Sequence, residues 1–68
     1  MDFQISMKAA RINAGLSQAQ VADKIGVSRV TITHWESGKF VPRADQFYKF
    51  CEVCNVPSTN VILPQSLL

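Results

Sequence analysis

Cysteine is nearly missing from this sequence. Cys51 and Cys54 are its only two, and together they form a single C-x-x-C. A structural zinc site takes four ligands, and the one histidine, His34, stands far upstream, so no metal and no cofactor are expected. Long apolar runs are absent too. Nothing approaches the roughly 18–20 residues that crossing a bilayer takes, and the opening MDFQISMKAAR lacks the charged start and cleavage site of a secretory signal. These absences predict a soluble, reduced, cytoplasmic protein with no membrane partner. Acidic residues are few: five Asp and Glu against seven Lys and Arg leave a net charge of +2. That balance permits a nucleic-acid partner without requiring one, so the placement of the charges has to decide. Repeats, long linkers and strand-like alternation are missing as well. With 68 residues there is room for one domain, whose core supplies only about 3–5 kcal/mol. The expectation is one locally connected helical domain over 1–68, with a core at about 5–63 and a short apolar tail at 64–68.

What is present reads as helices separated by caps. From Ile5 to Ala14, apolar or small residues at 7, 10 and 14 make a helical stripe that Gly15 ends. Ser17 caps the next helix, and Gln20 three positions later completes a capping box. That helix buries Val21, Ala22 and Ile25, and Gly26 stops it in a left-handed conformation. Ser28 caps a third helix that ends at Ser37-Gly38. Its Thr31-Ile32-Thr33 core is β-prone, but the flanking caps and the spacing of Ile32 to Trp35 favour a helix over 28–37. Lys39 to Pro42 is a turn, and Pro42 suits the first turn of a fourth helix. There Ala44, Phe47, Phe50, Cys51 and Cys54 share one face, and Asn55 stops it. The two thiols lie near the apolar end of that helix and read as buried packing. A last short helix or turn covers about Ser58 to Leu63. The fold class is therefore all-α, a compact bundle of four to five short helices.

Gly26-Val27-Ser28 leaves no room for a long connection, so the second and third helices must cross steeply. Ala22 is small where they approach, and Val21, Ile25, Val27, Ile32 and Trp35 supply the wedge between them. This is the arrangement of a DNA-binding helix-turn-helix. The run from Met7 to Leu63 resembles the phage-repressor/Cro-type family, also called the xenobiotic-response-element type, with a lambda-repressor-like domain. The matching residues are Met7-Lys8-x-x-Arg11, Gly15-Leu16-Ser17-Gln18, Val21-Ala22, Ile25-Gly26-Val27-Ser28, Ile32, Trp35-Glu36-Ser37-Gly38-Lys39 and Pro42.

With Ile32 and Trp35 turned inward, helical geometry puts Arg29, Val30, Thr33 and His34 outward. These are the candidate base-reading side chains. Arg29 can donate twice to guanine O6 and N7, Val30 and the Thr33 methyl can meet a thymine methyl, and His34 can bond a base acceptor or a phosphate. His34 as an ordinary surface histidine is the rival reading. Ser17, Ser28, Ser37, Lys39 and Arg43 are candidate backbone contacts, helped by helix N-termini. The resemblance implies that Gln18 contacts phosphate and braces residue 29. It also implies a partly buried salt bridge between Arg11 and Glu36, where the bland alternative is two unrelated solvated charges. Within residues 28 to 43, Arg29, Lys39 and Arg43 would then stand unopposed. Phe40 has no assignable burial partner: it rests on a sugar-phosphate backbone, covers the core edge, or meets a second subunit.

No nucleophile and orienting acid accompany His34, so no enzyme is expected. The expectation is a sequence-specific regulator of transcription, repressor/Cro-like and of phage, prophage or bacterial type. It would bind a double-stranded DNA operator as a homodimer, with no small-molecule ligand and no C-terminal sensing domain. The alternative keeps the fold but loses DNA binding, as a protein-interaction module of antitoxin or anti-repressor-like kind. Acidic or long apolar residues on the outward face of the third helix would favour it.

Overall fold

Serines start the first three helices of the computed structural model, which describes residues 4–64. Ser6 accepts the Ala9 N–H and opens α1, Met7–Asn13. The expected start at Ile5 is corrected: Ile5–Ser6 is a two-residue strand, β1. Ser17 and Gln20 exchange bonds as a reciprocal capping box, Ser17 N–H to Gln20 Oε1 at 2.8 Å and Gln20 N–H to Ser17 Oγ at 3.0 Å. They launch α2, Gln18–Ile25. Gly26 then turns the chain at φ 92°, a left-handed conformation that costs glycine little. Ser28 caps α3, Arg29–Ser37, by accepting the Thr31 N–H. Gly38 closes that helix, again left-handed.

The start of α4 differs from expectation. It runs Ala44–Val53 with Arg43 as its N-cap, so Pro42 lies one step outside the helix, where it is buried. The Arg43 N–H is satisfied by Gln46 Oε1 at 2.9 Å. Asn55, at φ 55°, ends the helical stretch. The last short helix or turn, expected at about Ser58 to Leu63, is a single 3-10 turn, Ser58–Asn60, followed by a second two-residue strand, β2, Val61–Ile62. β1 and β2 pair in parallel, Ile5 with Val61 and Ser6 with Ile62. The fold is thus a four-helix, mostly helical globule with a minor two-stranded sheet. Strands of two residues show no alternation, which is why the sequence pattern does not reveal them.

One core serves all these elements: Met7, Ala10, Val21, Ala22, Ile32, Trp35, Phe47, Phe50, Cys51, Cys54 and Val61. Val21, Ile32 and Phe50 are the fully enclosed large side chains among them. Ala22 is buried where α2 meets α3, so the two backbones can approach without a side chain between them. Ile25 and Val27 are half-buried against this core, while Ala14 and Ala44, expected on inner faces, are exposed. Cys51 and Cys54 are buried free thiols. Burial raises the Cys51 thiol and pushes Cys54 up to about 11. Among the described residues no group of three metal-ligating side chains converges. No described helix is long and apolar enough to cross a membrane. Of the apolar tail, Gln65 to Leu68 lie outside the described residues.

Candidate nucleic-acid interface

The turn between α2 and α3 is held by two bonds to one carbonyl: the N–H groups of Gly26 and Val27 both reach Ala22 O, at 2.8 and 3.0 Å. A connection this short fixes the relative direction of the two helices. Ile32 and Trp35 point into the core, so helical periodicity turns the opposite stripe of α3 outward. Arg29, Val30 and Thr33 are exposed, with Val30 54 % accessible. His34 is only half-buried because its ring meets that of Phe40 edge-on, centroids 5.0 Å apart and planes at 76°. Lys39 Nζ sits 5.8 Å from the Phe40 centroid. Phe40 itself remains 54 % exposed. His34, in the last turn of α3, therefore forms one small cluster with Lys39 and Phe40 just beyond it. No pattern in the sequence signals it, because Phe40 belongs to a turn without periodicity.

Behind this face lies the shortest ion pair among the described residues. Arg11 Nε donates to Glu36 Oε2 at 2.6 Å and Nη2 to Glu36 Oε1 at 3.2 Å, while Nη1 donates to Leu16 O at 2.9 Å. The side chains are 11 % and 4 % exposed, so the pair is shielded from water. Its hydrogen bonds to Glu36 raise the Arg11 guanidinium above its ordinary value. The fork ties α1 and the loop before α2 to the last turn of α3. Such a pair positions elements more surely than it adds net stability.

Gln18 departs from the brace that the resemblance implies. Its Nε2 donates to Glu36 Oε1 at 3.1 Å, and its Oε1 accepts the Thr33 hydroxyl at 3.2 Å. It braces Thr33, one helical turn beyond residue 29. The reason is chemical: a carboxylate offers only acceptors, so the buried Glu36 draws the amide nitrogen inward.

The other candidates sit as follows. Ser17 and Ser28 hydroxyls are occupied as caps, and Ser28 Oγ also lies 2.9 Å from Thr31 Oγ1. Ser37 donates to His34 O at 3.2 Å. Arg43 grips Asp45 through Nε at 3.1 Å and Nη2 at 3.2 Å. Both partners are exposed, and the guanidinium holds the Asp45 carboxyl below its usual range. The expected charge balance is corrected here, since Arg43 is countered by a neighbour just outside the segment. Arg29 and Lys39 make no ion pair among the described residues.

The face thus presents a guanidinium, a methyl-bearing pair and an ammonium on a short rod backed by a rigid polar network. Residues 7–60 match the family model described as helix-turn-helix. All 68 residues align, at 28 % identity, with the HTH-type transcriptional activator BcrR of Enterococcus faecalis. They cover 33 % of that protein, so the chain spans about a third of the length of this relative.

Proposed function

From the premise that the chain belongs to the helix-turn-helix family, we propose that it is a sequence-specific, double-stranded DNA-binding regulator of transcription. In this reading α3 enters the major groove and α2 lies across the backbone, in the repressor/Cro manner. The observation that carries it is the division of α3: Ile32 and Trp35 face the core while Arg29, Val30 and Thr33 face water. A solvated helix face usually carries Glu and Lys. This one carries side chains suited to base edges. Arg29 reads guanine through two bonds, Val30 and Thr33 read a thymine methyl, and His34 reaches a base or phosphate at the edge of the site. Gln18, Lys39 and the N-terminus of α2 with Ser17 meet phosphates, as do Ser28 and Ser37. Arg43 joins them by exchanging Asp45 for phosphate.

The protein acts without a cofactor, as a homodimer on half-sites about 34–36 Å apart, in the cytoplasm. The dimer is carried by the repressor/Cro resemblance. The named relative is a transcriptional activator, which supports regulation of transcription as the outcome of binding. Against a protein-interaction module speaks the absence of any acidic side chain on the exposed stripe of α3, Glu36 being turned inward.

The test is selection of bound duplexes from a random pool at fixed salt, repeated with Arg29→Ala. The wild type should enrich a symmetric sequence, and Arg29→Ala should relax one position of each half-site, a loss of about 1–3 kcal/mol there. Enrichment of no duplex would leave the interaction module as the surviving reading. Unchanged preference in Arg29→Ala would remove Arg29 from the base-reading set.

A further inference from the structure

Thr33 is exposed on the outward stripe of α3, but its hydroxyl is already engaged on the inner side. It lies 3.2 Å from Gln18 Oε1 and 3.2 Å from the Arg29 carbonyl. The carbonyl can only accept, and the same holds for the amide oxygen of Gln18. Which end of the Gln18 amide faces Thr33 follows from chemistry. Glu36, gripped by Arg11 on two atoms, offers acceptors only, so Gln18 must present Nε2 to it at 3.1 Å. The reverse orientation would set the amide oxygen against a carboxylate oxygen. The amide oxygen is thereby directed to Thr33, and the threonine hydrogen points inward whichever of its two acceptors it takes.

We propose that the Arg29 carbonyl and the Gln18 amide oxygen, the latter oriented by Glu36, together hold the Thr33 hydrogen inward, so that Thr33 meets the groove as an acceptor and a methyl group and not as a donor. This rests on the DNA-binding reading above and deepens it. An acceptor-plus-methyl face suits the amino groups of adenine N6 or cytosine N4 and the thymine methyl. It does not suit guanine O6, purine N7 or thymine O4 as hydrogen-bond partners. Gln18 is a positioning residue in this scheme, and Arg11, at the far end of the chain of bonds, is another. The second Nε2 hydrogen of Gln18 stays available for a phosphate oxygen, which leaves backbone contact and a share in polarity control to one side chain.

The test couples protein variants to base analogues in the selected duplex, measured by equilibrium binding. Thr33→Val keeps the methyl and removes the oxygen, whereas Thr33→Ser keeps the hydroxyl and removes that methyl. The expected result is that purine in place of adenine, or a cytosine analogue lacking N4, weakens the wild type about two- to tenfold and Thr33→Val not at all. Uracil in place of thymine weakens the wild type more than Thr33→Ser. Substitution by 7-deazapurines affects the wild type and Thr33→Val equally. A 7-deazapurine that weakens the wild type and spares Thr33→Val would show Thr33 donating, and would overturn the proposal. Gln18→Met, close in length but without acceptor or donor, should lose part of the amino-group coupling, read as a ratio of affinities well below its melting midpoint, which falls because Glu36 loses a donor. If it keeps the wild-type coupling in full, control by Gln18 is refuted even though the DNA reading stands. Should no duplex bind the wild type, the underlying reading falls first and is recognised separately.

Discussion

Removing the Arg11 side chain should hurt this protein more than its contact area suggests. Arg11→Ala strands Glu36, whose side chain is 4 % exposed and which, among the described residues, would keep the Gln18 amide as its hydrogen-bond partner. It also removes the donor at 2.9 Å from the Leu16 carbonyl. Breaking a buried pair from one side costs about 3–5 kcal/mol, because the remaining charge is uncompensated. A domain of this size holds only about 3–5 kcal/mol in total. At about 4–8 °C per kcal/mol for a small domain, the midpoint should fall by at least about 12 °C. The assay is far-UV circular dichroism through thermal and urea melts, with three comparisons run alongside. Arg43→Ala, which breaks an exposed pair, should scarcely move the midpoint. Arg11→Lys keeps the charge but not the planar fork and should fall between. Arg11→Met combined with Glu36→Leu removes both charges and should recover most of the loss. A midpoint for Arg11→Ala no lower than that of Arg43→Ala would refute the reasoning.

Lys39→Ala should weaken binding to all duplexes alike and shallow the dependence of log K on log salt by about 1, read from titrations at several salt concentrations; an unchanged slope would remove Lys39 from the phosphate contacts. Gly26→Ala meets no atom within 4 Å of the added carbon, so its penalty is backbone strain at φ 92° alone, about 1–2 kcal/mol in a urea melt. No loss there would mean that the turn adjusts. For the thiols, burial raises the folded value of Cys54 from 9.0 to about 11, so the folded state holds the proton more tightly than the unfolded chain. Their contribution is complete below pH 9.0 and is lost as pH rises toward about 11. Urea midpoints should therefore fall between pH 8 and pH 10.5, and equal midpoints would contradict the burial.

The elements that the sequence makes legible are those whose cause is local. Ser17 with Gln20, Ser28, Gly26, Gly38 and Asn55 act within a turn of the helix that they start or stop, and each does so at its expected place. The inward set Val21, Ala22, Ile32, Trp35, Phe47 and Phe50 follows from spacing, and with it the outward stripe of α3. Where the reading differs, the cause is one that helical spacing does not carry. β1 exists only because Val61 comes back beside Ile5, and two residues per strand leave no trace in a pattern. Pro42 is buried just outside α4, a distinction that spacing cannot make. His34 leans on Phe40 because the chain reverses after Gly38, and Arg43 is countered by Asp45 through side-chain rotation.

The sequence by itself determined the helices, their stops and which side of α3 is wet, since those depend on residues within a few positions of one another. Only the tertiary structure decided that Gln18 holds Thr33 and not Arg29, because that choice is made by a carboxylate brought to it from the end of another helix and neutralised from a third. Caps and periodicity act through the local backbone; the polarity of a shared hydrogen bond depends on which charge the fold places beside it.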